Sequence, residues 1–207
     1  VESGCKRGDD GKLHPSDGRY LLRVSEVDES MEDITPYCFE HPLAPMVAAE
    51  LEMKSIDMLW IERAYERLSE RHDAMVVEGV GGLMVPVGRE YSVLDMARYF
   101  SLPLVVVSSP YLGTINHSLL TVERALSEGL TVAGIIVNFP MPPRGTMDEE
   151  TNPRVLRELV PVPLLGVMPY ISDIHNEFLE DMAREHLDID AMAEYMVDVT
   201  PRIDPDI

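Results

Sequence analysis

The segment from Leu104 to Asn138 constrains this chain most, because it holds two β-branched runs separated by a helical pattern. Leu104 to Val107 is a continuous apolar run introduced by Pro103, and it reads as a strand buried on both faces. It ends at Ser108-Ser109-Pro110. Gly113-Thr114 then opens a helix through Glu128, with Thr114 as a plausible cap and Gly129 as its stop. Val132 to Val137 is a second buried strand ending at Asn138. Two such strands joined through a helix form a parallel pair. The pattern recurs downstream: a helix around Pro153 to Leu159 leads to a short strand, Leu164 to Met168, ending at Pro169. Helical stretches at Asn176 to Arg184 and Ile189 to Val197 follow. The fold class expected is α/β, a mostly parallel sheet with helices on both faces.

Upstream, Ala74 to Val77 reads as another buried strand, delivering Glu78 into the turn Gly79-Val80-Gly81-Gly82. In an open parallel sheet, ligands bind beyond the carboxyl ends of the strands, and glycines there admit a phosphate or metal. The plainer reading is a strand-ending turn whose Glu faces solvent. Val1 to Gly4 looks like a strand tail, followed by a loop, Cys5 to His14, without an element of its own. Pro15-Ser16-Asp17 signals a helix start, with Asp17 in the first turn. Ser25 to Asp33 reads as a solvated acidic loop, and Ile34 to Phe39 as a short extended segment. A helix containing Met46 to Leu51 precedes a longer one from Ser55, whose Ile56, Leu59, Trp60, Ala64 and Leu68 form an apolar stripe. Ser92 caps a helix carrying Leu94 and Ala97.

Length and composition exclude several classes. The 207 residues suffice for one buried core, and 45% apolar with 26% charged residues is globular composition. The formal charge of −20 disfavours nucleic acid and anionic membranes as partners. Cys5 and Cys38 are too few for a disulfide framework, so a cytoplasmic location is expected. No apolar stretch reaches membrane-spanning length. A serine-hydrolase reading finds no G-x-S-x-G turn.

Parallel strands would gather Glu78, Ser108-Ser109, Asn138 and Pro169 on one sheet edge, together with the helix start at Gly113-Thr114-Ile115-Asn116. Free N–H groups at such a start favour an anion. Asp17 and Glu78 are hard oxygen donors of the kind that hold Mg²⁺ beside a nucleotide.

Taken together, VEGVGGLMVP (77–86), LGTINHSLLT (112–121), GLTVAGIIVN (129–138) and PLLGVMPY (163–170) closely resemble the dethiobiotin synthetase family, in order and spacing as well as in words. VESG (1–4) looks like the continuation of that family's K-P-V-x-S-G segment, and HPSD (14–17) like the place of its metal-binding Asp. The match runs from residue 1 to about Tyr170. The resemblance implies a cytoplasmic, homodimeric, P-loop NTPase-like enzyme that joins CO₂ (or bicarbonate) to 7,8-diaminopelargonic acid with ATP and Mg²⁺, closing the ureido ring of dethiobiotin. By the same resemblance, Asp17 and Glu78 bind Mg²⁺, and Glu78, Gly79, Val80 and Gly81 line the nucleotide's phosphates. Ser3 contacts the substrate near its reacting end. Asn138 with Phe139, and Pro169 with Tyr170 and Ile171, frame the adenine. Gly113, Thr114 and Asn116 receive the substrate's distant carboxylate, across a dimer interface.

One departure is large. The family's G-x-x-x-x-G-K-[ST] loop occurs nowhere in the 207 residues, nor does a Lys precede Val1, so the first strand, the P-loop and the catalytic lysines are missing. The expectation is a single α/β domain over 1–207, truncated at its N-terminus, with a helical tail over 174–207, and inactive as an isolated fragment. Two other readings stand beside the synthetase: an amidation domain like that of cobyrinic acid diamide synthase, which would need a glutaminase domain downstream, and a non-catalytic dimerising module on the same fold.

Overall fold

The computed structural model describes residues 1–172 and 176–196. The described residues fall into two compact units that divide between Phe100 and Ser101.

In the first unit, β1 (Glu2–Ser3) pairs in parallel with β4 (Cys38–Phe39), in the register Glu2↔Cys38 and Ser3↔Phe39. The stretch expected to be a bare loop instead forms an antiparallel pair, β2 (Lys6–Arg7) with β3 (Leu13–His14). Its turn is closed by the Arg7 guanidinium, which donates to the Gly11 carbonyl at 2.7 Å. Helix α1 (Ser16–Ser25) starts where Pro15-Ser16-Asp17 signals it, with Asp17 in its first turn. The acidic span is not a purely solvated loop. It runs into α2 (Met31–Ile34), capped by Ser30, and two of its acids are recruited by α4 (Met58–Ser69) and the turn after it. Asp33 takes Arg67 at 2.5 Å, while Glu29 takes Arg71 at 2.6 Å and His72 at 2.7 Å. The Arg67 hydrogen bond is the chief reason the Asp33 carboxyl titrates below its usual range.

Helix α3 (Pro45–Leu51) covers β4, and Phe39, Ala48 and Ala49 form a small core there. Helix α4 buries Met58, Ile61, Ala64 and Tyr65, and Tyr65 stacks on Phe100 of α5 (Val93–Phe100) with ring centroids 4.3 Å apart. This corrects the stripe expected from sequence: Leu59 and Trp60 are 57% and 41% exposed. Apolar residues occupy adjacent positions around this helix, so the pattern permits two faces, and the ring contact with Phe100 selects one.

Residues 74–78 are a second correction. No ladder joins them to another strand among the described residues, and Val76 and Val77 are 88% and 38% exposed. A strand exists through the hydrogen bonds of a neighbour, and an apolar run without one stays irregular. Beyond it, the chain folds onto the start of α5, whose Ser92 exchanges hydrogen bonds with Asp95 as an N-terminal cap.

The second unit is a three-stranded parallel sheet in the order β5 (Leu104–Ser108), β6 (Val132–Asn138), β7 (Leu164–Met168). Strand β6 is central and buried along nearly its whole length, with Ile135 1% and Val137 0% exposed. Burial of that kind is worth about 1.5–3 kcal/mol per large side chain. Strand β5 is not buried on both faces as its apolar run suggests: it lies at the sheet edge, and Val105 and Val107 are 39% and 64% exposed. Helix α6 (Thr114–Ser127) links β5 to β6 and packs Val122 and Ala125 inward. Helix α7 (Met147–Leu159) links β6 to β7 and begins well before Pro153, because Thr146 and Glu149 form a capping box. Pro153 lies inside it. Helices α8 (Asn176–His186) and α9 (Ile189–Ala193) follow β7, while residues 174–175 and 197–207 of the expected tail, Val197 among them, lie outside the described residues. Among the described residues, no helix is long and apolar enough to cross a membrane.

Candidate functional site

In the first unit the site is built around the start of α1. Pro15, the residue before that helix, offers no side-chain acceptor for the first-turn N–H groups. Glu2 of β1 supplies it from 15 residues away: its Oε1 accepts from the Asp17 N–H at 3.1 Å, its Oε2 from the Gly18 N–H at 3.0 Å, and the Ser16 hydroxyl donates to Oε1 at 3.1 Å. Glu2 is 8% exposed. Sequence reasoning missed it, since nothing local ties a strand residue to a helix that starts beyond a hairpin. The available signal was negative: a Pro at the cap position leaves donors that something must satisfy. Gly18 is required by the same packing, because a Cβ there would lie 2.1 Å from the Thr35 hydroxyl.

Asp17 is thereby fixed at the mouth of α1, exposed to solvent, and Glu78 stands in its electrostatic field. Glu78 reaches solvent, yet partial desolvation, then the charges of Asp17 and Glu2, raise its pKa above the ordinary carboxylate value. Glu78 is therefore not delivered by a sheet strand to the edge that carries Ser108, Asn138 and Pro169, as the sequence suggests, because residues 74–78 pair with no strand among the described residues. Gly79 packs toward Val93, where a Cβ would meet Val93 Cγ1 at 3.1 Å, and Gly81 takes a left-handed φ of 72°. Ser3 stands on β1 beside Phe39, one residue beyond Glu2. Among the described residues, no group of three or more His, Cys, Asp or Glu is placed to hold a metal ion. Mg²⁺ asks for less: one or two carboxylates, the other positions going to water and phosphate oxygens. Two exposed acids, Glu78 in the electrostatic field of the like-charged Asp17, fit that demand.

In the second unit, the carboxyl ends of β5, β6 and β7 share one sheet edge. Asn138 pairs in register with Met168, and the Phe139 N–H donates to the Met168 carbonyl at 3.0 Å, so Asn138-Phe139 and Pro169-Tyr170-Ile171 leave the sheet side by side. Tyr170 is 37% exposed, and Asn138 and Phe139 are half-buried. An amide and flat side chains are brought together there.

Gly113 is the residue before α6 and holds φ at 99°, a left-handed conformation that glycine takes freely. It, not Thr114, occupies the cap position, and no side chain caps the helix. Thr114 is the first helical residue, 4% exposed, while Asn116 is exposed. Beside this helix start lies a cavity of about 380 Å³, lined by Ser108, Tyr111, Thr114, His117 and Ser118 among others. The buried hydroxyls of Ser108, Tyr111 and Ser118 have no partner among the described residues. Uncapped N–H groups and unspent hydroxyls suit a polar or anionic ligand.

Comparison with known proteins shows which family the chain resembles. The model of a family described as an AAA domain matches residues 10–178. A protein of Thermodesulfovibrio yellowstonii named ATP-dependent dethiobiotin synthetase is 42% identical over 199 residues, 93% of this chain and 82% of the relative. Proteins of that name from Bacillus subtilis subsp. natto and Bacillus subtilis strain 168 are 40% and 41% identical, over 88% and 85% of this chain and 79% and 76% of theirs. With an α/β architecture of parallel strands and a match of this depth and extent, the chain belongs to the ATP-dependent dethiobiotin synthetase family.

Proposed function

We propose that this protein is an ATP- and Mg²⁺-dependent ligase that forms dethiobiotin from 7,8-diaminopelargonic acid and CO₂, acting in the cytoplasm as a homodimer. The observation that carries this reading is the family match over most of the chain, with Glu78 standing in the electrostatic field of Asp17. Among 37 acidic residues the family resemblance singles out these two. Mg²⁺ held by them would neutralise charge on the nucleotide phosphates, with Gly79, Val80 and Gly81 letting the backbone come close.

The chemistry divides among the remaining residues. One amine of the substrate takes up CO₂ and loses a proton to give a carbamate. A carbamate oxygen attacks the γ-phosphorus of ATP and ADP departs. The second amine then attacks the carbamate carbon, the C–O bond to phosphate breaks, and inorganic phosphate leaves as the ring closes. Such steps depend on positioning more than on covalent help from the protein. Ser3 orients the reacting end of the substrate. The first-turn N–H groups of α6, with Gly113, Thr114 and Asn116, take the distant carboxylate, supplied to the partner copy across the dimer interface. Asn138 hydrogen-bonds the adenine edge, while Phe139, Pro169, Tyr170 and Ile171 pack on its faces.

No loop of the G-x-x-x-x-G-K-[ST] kind occurs in the 207 residues, so the test uses protein expressed from the complete reading frame. Given 7,8-diaminopelargonate, ATP, Mg²⁺ and bicarbonate, it should release ADP, phosphate and dethiobiotin in equal amounts. Absence of dethiobiotin under those conditions rejects the assignment.

A further inference from the structure

We infer that Asp148 and Asn152, on the first turns of α7, are positioning residues that set the α6 helix start for its anionic ligand. The inference rests on the reading that Gly113, Thr114 and Asn116 receive the substrate carboxylate.

The loop between β5 and α6 is held by α7. The Leu112 N–H donates to Asp148 Oδ2 at 2.9 Å. Asn152 Nδ2 donates to the Pro110 carbonyl at 2.8 Å and to the Tyr111 carbonyl at 3.2 Å. The Tyr111 carbonyl also accepts the Thr114 N–H at 3.1 Å, so Asn152 acts one bond away from the first helical amide. Asn152 is 6% exposed and spends its amide on this loop. The Leu112 side chain is 91% exposed, so the residue next to the left-handed Gly113 is held by its N–H and not by burial. The Arg144 guanidinium adds a lid, lying 4.1 Å from the centroid of the Tyr111 ring. Arg144 is itself fixed by the buried Glu149, whose carboxylate accepts the N–H groups of Arg144, Gly145 and Thr146.

The sign of charge separates positioning from binding. Asp148 is an anion placed near an anion subsite, so as a ligand contact it would repel; as an acceptor for Leu112 it orients the donors that bind. A small error in such orientation is costly, because the helix N–H groups must converge on the carboxylate.

The experiment measures KM and kcat of the full-length protein for 7,8-diaminopelargonate and for its methyl ester, which keeps both amines and lacks the anionic carboxylate. Asp148→Ala and Asn152→Ala should each raise KM for the acid about tenfold, the equivalent of one lost hydrogen bond. KM for the ester and for ATP should hold. Asp148→Asn, whose amide oxygen still accepts from Leu112, should restore the wild-type KM. Equal rises for acid and ester, an Asp148→Asn variant as impaired as Asp148→Ala, or no change at all would each overturn the inference. Asn116→Asp, which puts a negative charge at the α6 start, separates the two readings. If it leaves KM for the acid unchanged, the carboxylate subsite itself is wrong. If it raises that KM while Asp148→Ala and Asn152→Ala do not, only the positioning role fails.

Discussion

Glu2→Gln removes the charge that closes the start of α1 and keeps the side-chain shape. In the wild type the carboxylate accepts from the Asp17 and Gly18 N–H groups and from the Ser16 hydroxyl, while Pro15 contributes no acceptor. A glutamine retains one acceptor oxygen and turns an NH₂ group toward donors it cannot satisfy. Losing an N-cap costs about 1 kcal/mol, and a negative charge at a partly buried helix start adds up to about 2 kcal/mol. A buried N–H left without its acceptor costs about 1–3 kcal/mol. These overlap, so the sum is not additive, and about 2 kcal/mol is expected. With a urea m-value near 2 kcal/mol per M, the unfolding midpoint should fall by about 1 M. Equilibrium denaturation followed by circular dichroism measures it. A midpoint within about 0.2 M of wild type would refute the view that Glu2 is the cap of α1, and with it the account of how Asp17 is fixed.

Two further outcomes follow from the carboxylates. Burial alone would raise the Glu52 pKa, but hydrogen bonds from Lys54 and His41 and from the Glu40 and His41 N–H groups outweigh it and bring the pKa down to about 2. A depressed acid contributes stability above its unfolded value of 4.5 that is lost as pH falls toward 2, at most about 3 kcal/mol here. Urea midpoints measured from pH 5 to pH 2 should therefore decline less steeply in Glu52→Gln than in wild type. Glu78 has the opposite sign. Its raised pKa means the folded state holds the proton more tightly, so stability falls as pH rises through and above the ordinary Glu range. Glu78→Gln should thus melt no lower than wild type at pH 7 in EDTA, yet lose the thermal shift that Mg²⁺ with ATP confers. A variant that keeps the shift would remove Glu78 from the metal site.

The legible parts of the fold were those where one local pattern admits one answer. Strand β6 was clear because a long, mostly β-branched run ends at Asn138, β7 because a short apolar run ends at Pro169, and α1 because Asp17 stands in a first turn. Strand β5 and helix α4 were half legible. A continuous apolar run does not say whether a strand is central or at an edge, and apolar residues on adjacent positions of α4 leave its inward face to tertiary contact. The start of α7 was available in the sequence as Thr146 and Glu149 three apart, but Pro153 drew attention as the boundary instead. Residues 74–78 show the limit of pattern, since pairing belongs to two segments and the sequence of one cannot supply the other. At the site, Asp17 was legible as a first-turn acid of α1, while Glu78 ends no strand and Gly113 takes the cap position that the sequence suggests for Thr114. Glu2, Asp148 and Asn152 were not legible, because each acts on backbone groups far away in sequence.

The central claim is that this protein activates a carbamate by phosphorylation and closes a ring on it. Bicarbonate labelled with ¹⁸O tests it most directly. When full-length protein turns over with 7,8-diaminopelargonate, ATP and Mg²⁺, one labelled oxygen should pass from the carbamate into each inorganic phosphate released, matched by one dethiobiotin. Phosphate released without label, or label-free ATP hydrolysis with no dethiobiotin, would contradict the account.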